Sequence, residues 1–269
     1  MENVGYFEEK ARNVRRQIFE KFVLLQQGHP GSTLSMADLA VALYYGNFVR
    51  KAPDESSRLY DKVIVSKGHA TACLYPILAD LGVIPAEEWE NWGHEAALLR
   101  VFGNTQIPGI DATSGSLGHG LGIAAGYALS FKRRGSDRRV FAIVSEGELY
   151  EGSVWESLLF ASHYGLDNLY IIIDRNDLII LGGTEACLAL EPIKRKIEAF
   201  GLLAYDCDGH DFGAILGALE RMIGARAPSC LIAKTVKGKG VRMMENKPQW
   251  HYWNPLTPAE LERCRNDLR

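Results

Sequence analysis

The chain has 269 residues, 47% of them hydrophobic, which is enough to bury the core of one enzyme-sized domain. Its 30 basic and 33 acidic residues give a formal net charge of −3, so no basic excess attracts nucleic acid or an anionic membrane. No apolar stretch approaches the roughly 20 residues that span a bilayer, and the N-terminus lacks the pattern of a secretion signal. With five scattered cysteines and no Cys-x-x-Cys spacing, these features predict a soluble, cytoplasmic protein.

The first predicted elements are helices. Apolar residues at near-helical spacing predict an amphipathic helix over 7–27, which Gly28 ends. Gly28-His-Pro-Gly31 then predicts a turn. Ser35, followed three residues later by Asp38, resembles a capping arrangement and predicts a helix that runs to about residue 49.

Strands and helices alternate along the rest of the chain. Short β-branched runs predict buried parallel strands at 62–66, 140–144, 169–174, 203–208 and 230–235. Helical patterns lie at about 70–81, 119–134, 151–165, 191–200 and 211–224, and a last helix begins at about 257. The alternation predicts an α/β fold with a doubly wound, mainly parallel sheet and helices on both faces. We expect one domain over 1–269, with a polar extension from about 246.

Two neighbouring predicted strands end in oxygen-bearing side chains. Ser145-Glu-Gly-Glu-Leu-Tyr-Glu-Gly152 follows one strand, and Asp174-Arg-Asn176 ends the next. Ligands collect at the carboxyl ends of parallel strands, and oxygen donors suit a hard cation such as Mg²⁺. Because that cation usually takes its other ligands from phosphate and water, the motif predicts a phosphorylated cofactor. A solvated acidic turn is the alternative for this motif taken alone.

Six blocks, in one order along almost the whole chain, resemble transketolases. They are Gly28-His-Pro-Gly31, Ser66-Lys-Gly-His69, Thr113-Ser-Gly-Ser-Leu-Gly-His-Gly120, Glu148-Leu-Tyr-Glu-Gly152, Asp208-Gly-His-Asp211 and Lys234-Thr-Val-Lys-Gly-Lys-Gly240. The resemblance covers the first of the family's three domains, so the chain is similar to the N-terminal subunit of a split transketolase. It implies the diphosphate-binding domain of the thiamine diphosphate-binding fold.

The resemblance implies roles for individual residues. The metal ligands, for Mg²⁺ or Ca²⁺, are Glu146, Asn176 and the carbonyl of Leu178; the catalytic residues are His29, His69, His251 and Glu151. The cofactor-binding residues are His69, Gly115, Ser116, Leu117, Gly118, Gly147, Glu148, Glu156 and Asn176. Imidazoles near neutral pKa can donate to phosphate or exchange protons with hydroxyls. A glycine-rich block before a helix can turn its N–H groups towards an anion.

The chain departs from the family pattern in two places. Ser145-Glu146 stands where transketolases have Gly-Asp, which lengthens the carboxylate, and we expect Asp174 to orient the turn that carries Asn176. Where a histidine is expected to contact the donor, the nearest residues are Val101 and Phe102, so a polar contact has become apolar.

The resemblance leaves three functions open. The family's activating glutamate belongs to a pyrimidine-binding domain that this chain lacks, so a separate C-terminal subunit should supply it, as an α2β2 heterotetramer. The leading hypothesis is then ketol transfer from a ketose or ketose phosphate to an aldehyde. A second hypothesis is decarboxylative carboligation with an α-keto acid donor, because the donor contact is altered. A third is a non-catalytic scaffold subunit, because Ser145-Glu146 replaces Gly-Asp.

Overall fold

A single parallel sheet forms the centre of the molecule in a computed structural model that describes residues 4–52 and 59–269. Its strands are β1 (Lys62–Val65), β2 (Val140–Ser145), β3 (Leu169–Arg175), β4 (Leu203–Asp208) and β5 (Ser229–Lys234). Their order across the sheet is β1-β2-β3-β5-β4. Each strand boundary lies within one residue of its predicted position, and the predicted doubly wound α/β fold is confirmed.

Helices connect the strands and cover both faces of the sheet. The α-helices in the described ranges are α1 (Val4–Leu25), α2 (Pro30–Ser35), α3 (Ala37–Tyr45), α4 (Leu74–Asp80), α5 (Ala86–Asn91), α6 (Gly120–Arg133), α7 (Gly152–His163), α8 (Thr184–Cys187), α9 (Ile193–Ala199), α10 (Phe212–Gly224) and α11 (Pro258–Asp267). Short 3₁₀ helices occupy Gly68–Cys73, Glu146–Tyr150 and Pro248–His251. Among the residues described, none of these helices is long and apolar enough to cross a membrane.

The core has two layers, one on each face of the sheet. Every residue of β3 is buried, and its side chains alternate between the layers: Tyr170 and Ile172 pack in one, Ile171 and Ile173 in the other. Helices α1, α3 and α10 contribute to the first layer, and α6, α7 and α9 contribute to the second. Burial on both faces explains why β1, β2, β3 and β5 read as largely apolar runs. The predicted burial of the strand at 203–208 is wrong, because β4 lies at the edge of the sheet and none of its residues is buried.

The predicted single helix from Ser35 to about residue 49 is wrong. The chain forms α2 and α3 instead, and Ser35 lies at the end of α2 rather than before a helix. The Ser35 hydroxyl donates to Asp174 at 2.6 Å, and Asp38 accepts hydrogen bonds from the Arg15 guanidinium at 2.9 and 2.6 Å. The two side chains whose spacing predicted a helix cap therefore form hydrogen bonds to distant elements instead.

The stretch after residue 246 packs against the first helix. Trp250 and Trp253 are buried, and the ring of Trp253 meets Phe19 edge-on with centroids 5.9 Å apart. The Trp253 backbone N–H also donates to the carbonyl of Gly28 at 2.9 Å. These contacts bring the 3₁₀ turn that carries His251 back to the region of His29.

Candidate functional site

A cavity of about 430 Å³ lies over the carboxyl ends of β2 and β3. Its lining includes most of the predicted site residues: His29, His69, Gly115, Leu117, Glu146, Gly147, Glu151, Asn176, Leu178 and His251. Residues that were not predicted for the site also line it, among them Ser32, Phe102, Tyr150, Lys237 and Tyr252. A larger cavity of about 710 Å³ lies over the ends of β4 and β5, but its lining contains none of the predicted site residues.

Three histidines from distant parts of the sequence meet in the smaller cavity. The ring centroids are 5.2 Å apart for His29 and His69, 5.6 Å for His29 and His251, and 5.5 Å for His69 and His251. Burial, and then the charge of Lys237, lower the pKa of both His29 and His251 to about 4. Burial also lowers the pKa of His69 well below its usual value. All three rings are therefore neutral at pH 7 and can accept or donate a proton.

The lowered pKa values predict a pH-dependent stability. Because the unfolded chain binds protons on these histidines near pH 6.5 and the folded chain does so only near pH 4, the free energy of unfolding should rise as pH increases between these values. We expect His29 alone to lower the free energy of unfolding by about 2 kcal/mol between pH 7 and pH 5. Urea unfolding at both pH values would measure it, and a His29→Asn variant with an unchanged pH slope would contradict it.

His29 has an unused ring nitrogen. Its Nδ1 is buried and has no hydrogen-bond partner in the part of the chain that the structure describes. The residue directly precedes α2, and Pro30 at the first helical position sets the local turn. Since a buried polar atom without a partner costs free energy, this nitrogen is suited to a polar group of a ligand in the cavity.

Lys237 places a positive charge in the same cavity. It is almost fully buried, and its ammonium donates to the Leu178 carbonyl at 3.3 Å and lies 3.5 Å from Nδ1 of His251. Burial, together with the nearby charge of Lys67, lowers the pKa of Lys237 to about 8. A buried ammonium beside neutral imidazoles favours an anionic ligand. Lys237 lies within the Lys234–Gly240 block, but the sequence did not single it out.

The three predicted metal ligands lie together at the edge of the cavity. The side-chain amide of Asn176 lies 3.0 Å from Oε1 of Glu146 and 3.1 Å from the Leu178 carbonyl oxygen. With its nitrogen on that side, the amide donates to both oxygens, and this orientation satisfies its hydrogen bonds within the protein. With its oxygen on that side, the three oxygens would face one point, as a bound cation requires. Neighbouring ligands of an octahedral Mg²⁺ lie about 3 Å apart, so these oxygens fit a small hard cation.

The Glu146 carboxylate has protein partners at both oxygens. Oε1 accepts the backbone N–H of Leu178 at 2.9 Å and of Asn176 at 3.2 Å, and Oε2 pairs with Arg175. Burial raises the pKa of Glu146 to about 7, although the Arg175 guanidinium opposes this shift. The described residues contain no group of three or more His, Cys, Asp or Glu side chains that could hold a metal. A cation here would therefore depend on one carboxylate oxygen, Oε1 of Glu146, together with the Asn176 amide, the Leu178 carbonyl and the oxygens of a bound ligand.

Asp174 does not orient the Asn176 turn as expected. Its fully buried carboxylate pairs with Lys67 and accepts hydrogen bonds from the hydroxyls of Ser35 and Thr235. Lys67 is fully buried too, and its ammonium also donates to the carbonyl of Ser32 at 3.0 Å. The pair fixes the base of the loop that carries His69 against the end of β3.

Comparisons with known proteins identify the family. Residues 9–268 match the family described as transketolase, thiamine diphosphate binding domain. The chain belongs to the transketolase family. It is 36% identical to an apulose-4-phosphate transketolase subunit of Actinobacillus succinogenes, over 99% of this chain and 98% of that protein. It is 32% identical to a 6-deoxy-6-sulfo-D-fructose transketolase subunit of Clostridium sp., over 95% of this chain and 96% of that protein.

Full-length transketolases extend well beyond this chain. The human enzyme is 33% identical over 97% of the chain, which spans 42% of that protein. The crystal structure of Campylobacter jejuni transketolase superposes with a TM-score of 0.86 at 26% identity, over 98% of this chain and 43% of that one. The resemblance to an N-terminal transketolase subunit is therefore confirmed, and the α-keto acid alternative is not favoured.

Glu148, a predicted cofactor contact of the transketolase site, lies beneath the cavity rather than in its wall. Its carboxylate accepts the backbone N–H groups of Ser145 at 2.7 Å and Gly118 at 3.0 Å, and also pairs with the Ser66 hydroxyl. The Ser145 hydroxyl donates to it as well, at 3.0 Å. Ser145 and Glu148 form a capping box after β2, and the contact with Gly118 fastens the glycine-rich block to the end of that strand. This placement does not support direct contact of Glu148 with a cofactor.

The remaining predicted residues of the transketolase site divide between the cavity and a neighbouring surface. Gly115, Leu117, Gly147 and Glu151 line the cavity, whereas Ser116 is exposed beside it. Gly118 and Glu156 lie on a groove between α6 and α7. Gly118 has a φ of +82°, and a Cβ there would lie 2.6 Å from Cβ of Glu151, so no other residue type fits without strain.

Phe102 stands where a donor-contacting histidine was expected. It lines the cavity, and its ring meets His29 edge-on with centroids 5.4 Å apart. The Tyr252 ring lies 5.1 Å from the His29 ring and lines the same cavity. Two aromatic side chains therefore lie beside His29, and one of them is the apolar residue at the position where the family pattern has a histidine.

Proposed function

We propose that the chain is the diphosphate- and metal-binding subunit of a transketolase-like enzyme that transfers a two-carbon ketol unit from a ketose or ketose phosphate to an aldehyde. The observation that carries the proposal is one cavity in which three neutral histidines lie near the oxygen triad, the oxygens of Glu146, Asn176 and the Leu178 carbonyl at the ends of β2 and β3. Reduced cysteines, none of them paired in the structure, support a place in the cytoplasm.

Thiamine diphosphate would occupy this cavity. When bound, it supplies the carbanion chemistry that makes and breaks the carbon–carbon bond. Glu146, Asn176 and the Leu178 carbonyl would hold Mg²⁺ or Ca²⁺ next to its diphosphate. Gly115 and Gly147 offer close backbone approach, and the Leu117 side chain offers an apolar contact.

The protein itself would position the sugar and move protons. His29, His69 and His251 are neutral, so each can take a proton from a sugar hydroxyl or donate one to a carbonyl oxygen. Lys237 stabilises negative charge that develops beside His251. Glu151, exposed at the cavity edge, is placed to act with residues of a second chain.

A second subunit would supply the pyrimidine-binding domain and the activating glutamate, in an α2β2 heterotetramer. The two subunit-sized relatives support a separate second subunit, because the chain covers nearly all of each but less than half of the full-length human enzyme. The α6/α7 groove, lined by Gly118, Gly122, Gly126, Glu156 and Phe160, is a suitable docking face. Exposed Ile123, Leu159 and Tyr164 extend its apolar surface.

A bulky charge in the α6/α7 groove should prevent association with the second subunit. Gly126 is exposed on α6, and a Cβ added there meets nothing within 4 Å, so Gly126→Arg should fold normally. We expect sedimentation analysis to show at least a tenfold weaker complex, because a buried charge without a partner is costly. Gly224→Arg, at an equally open position at the end of α10, is the matched control. Equal assembly of the two variants would place the interface elsewhere.

Reconstitution tests the proposed function. The chain is mixed with a second subunit that contains the pyrimidine-binding domain, and thiamine diphosphate and Mg²⁺ are added. Ketol transfer is then measured with ketose and ketose phosphate donors and aldehyde acceptors. Transfer with any sugar donor supports the proposal. Release of carbon dioxide from pyruvate without ketol transfer would contradict the proposal and indicate a decarboxylating carboligase subunit. Failure to bind thiamine diphosphate would indicate a non-catalytic scaffold subunit.

A further inference from the structure

The Glu146 carboxylate uses its two oxygens differently. Oε2 points to Arg175, whereas Oε1 is the oxygen next to the Asn176 amide and the backbone N–H of Leu178. Arg175 lines the larger cavity over β4 and β5, and Glu146 lines the smaller one. The contact between Glu146 and Arg175 therefore joins the linings of the two cavities, and Oε1 is the carboxylate oxygen that faces the proposed cation position.

Arg175 is itself firmly held. It is only 5% exposed, and Nη1 donates to the Thr184 hydroxyl at 2.7 Å. Besides Glu146 it pairs with Asp177 at 3.1 Å, Glu185 at 3.2 Å and Glu191 at 3.3 Å. The planar guanidinium is suited to hold several oxygens in fixed directions, which an ammonium does less well.

The surrounding carboxylates leave the Glu146 site negative. Four carboxylates share one guanidinium, so the group has a formal charge of 1 − 4 = −3 when all are ionised. Arg175 thus orients Glu146 without cancelling the negative charge that attracts a divalent cation. Lys237, whose ammonium donates to the Leu178 carbonyl, adds one positive charge beside the same oxygens.

We propose that Arg175 is the residue that positions Glu146 for a divalent cation, and that it allows the longer glutamate to serve where the family pattern has aspartate. The inference rests on the proposed function, because the cation belongs to that site. A glutamate has one more rotatable bond than an aspartate, and a fixed Oε2 removes the added freedom. Partners that orient a metal ligand typically contribute 10- to 100-fold to metal affinity.

Binding of Mn²⁺ in the presence of thiamine diphosphate tests the role without an activity assay. Free Mn²⁺ is measured by electron paramagnetic resonance with the full chain and its second subunit. We expect Arg175→Met to weaken Mn²⁺ binding about 10- to 100-fold. Arg265→Met is the matched control: it removes an arginine that pairs with Glu20, and neither residue lines either cavity, so Mn²⁺ affinity should be unchanged.

A shorter carboxylate provides the decisive comparison. The side chain of a Glu146→Asp variant is one methylene shorter and is expected not to pair with Arg175, so adding Arg175→Met to it should change Mn²⁺ affinity less than about twofold. A purely structural role of Arg175 would weaken binding equally in both backgrounds. If Arg175→Met fails to fold, as monitored by circular dichroism, Arg175→Lys keeps the charge without the planar fork and should weaken binding in the same direction.

The outcomes separate this inference from the proposed function. If the unmodified complex binds neither thiamine diphosphate nor Mn²⁺, the proposed function is wrong. If it binds both and Arg175→Met binds Mn²⁺ equally well, Arg175 has no positioning role and the inference alone is overturned. Tighter binding by Arg175→Met would also overturn it, because the guanidinium would then be a competitor of the cation.

Discussion

Replacing Asp174 by alanine is expected to destabilise the fold by about 3–5 kcal/mol. Asp174 and Lys67 are both fully buried and paired, so the substitution leaves an ammonium in the core without its carboxylate. The hydroxyls of Ser35 and Thr235 lose their acceptor at the same time. Urea unfolding followed by circular dichroism measures the loss.

A double variant separates the charge from the packing. In Lys67→Met/Asp174→Leu no buried charge remains, and apolar pairs of similar volume are often as stable as the ion pair that they replace. We expect the double variant to be more stable than Asp174→Ala, even though it carries more substitutions. If Asp174→Ala lowers the free energy of unfolding by less than about 1 kcal/mol, the Lys67–Asp174 pair does not hold the loop after β1 to the end of β3 as the structure indicates.

The strands could be predicted well because their pattern depends on local burial. Four of the strands are largely covered on both faces and are apolar along most of their length, and polar residues or glycine bound each run. The edge strand β4 has two aspartates, and its position in the alternation, rather than burial, makes it predictable. The division into α2 and α3 could not be predicted in this way. Ser35 and Asp38 have the spacing of a cap, and only the folded chain shows that Asp174, Arg15 and His210 are their partners.

The site shows the same division between local and distant information. Glu146 and Asn176 follow adjacent strands, and the sequence could bring them together because parallel strands end at one edge. Arg175 and Lys237 were missed, since nothing nearby in sequence indicates that their charges are buried. One signal was available for Glu148: Ser145-x-x-Glu148 is a capping box, which predicts a structural carboxylate.

Replacing Glu146 by alanine is expected to lower ketol transfer by the reconstituted enzyme about 100-fold or more. Loss of a residue that only supports a metal ligand already costs 10- to 100-fold, and this change removes the single carboxylate of the oxygen triad. The fold should survive, because Arg175 keeps its pairs with Asp177, Glu185 and Glu191.

Calorimetry of thiamine diphosphate binding shows whether that loss arises at the cation. With excess Mg²⁺ the Glu146→Ala complex should bind the cofactor more weakly than the unmodified complex, and with a chelator the two should bind equally weakly. Glu198→Ala, an exposed carboxylate on α9, controls for the change in net charge. Glu146 would act only through the metal. If the Glu146→Ala complex still binds the cofactor more weakly than the unmodified complex when the chelator is present, the carboxylate must act on the cofactor, or on the loop after β2, directly. Full ketol transfer by Glu146→Ala would place the cation at other oxygens.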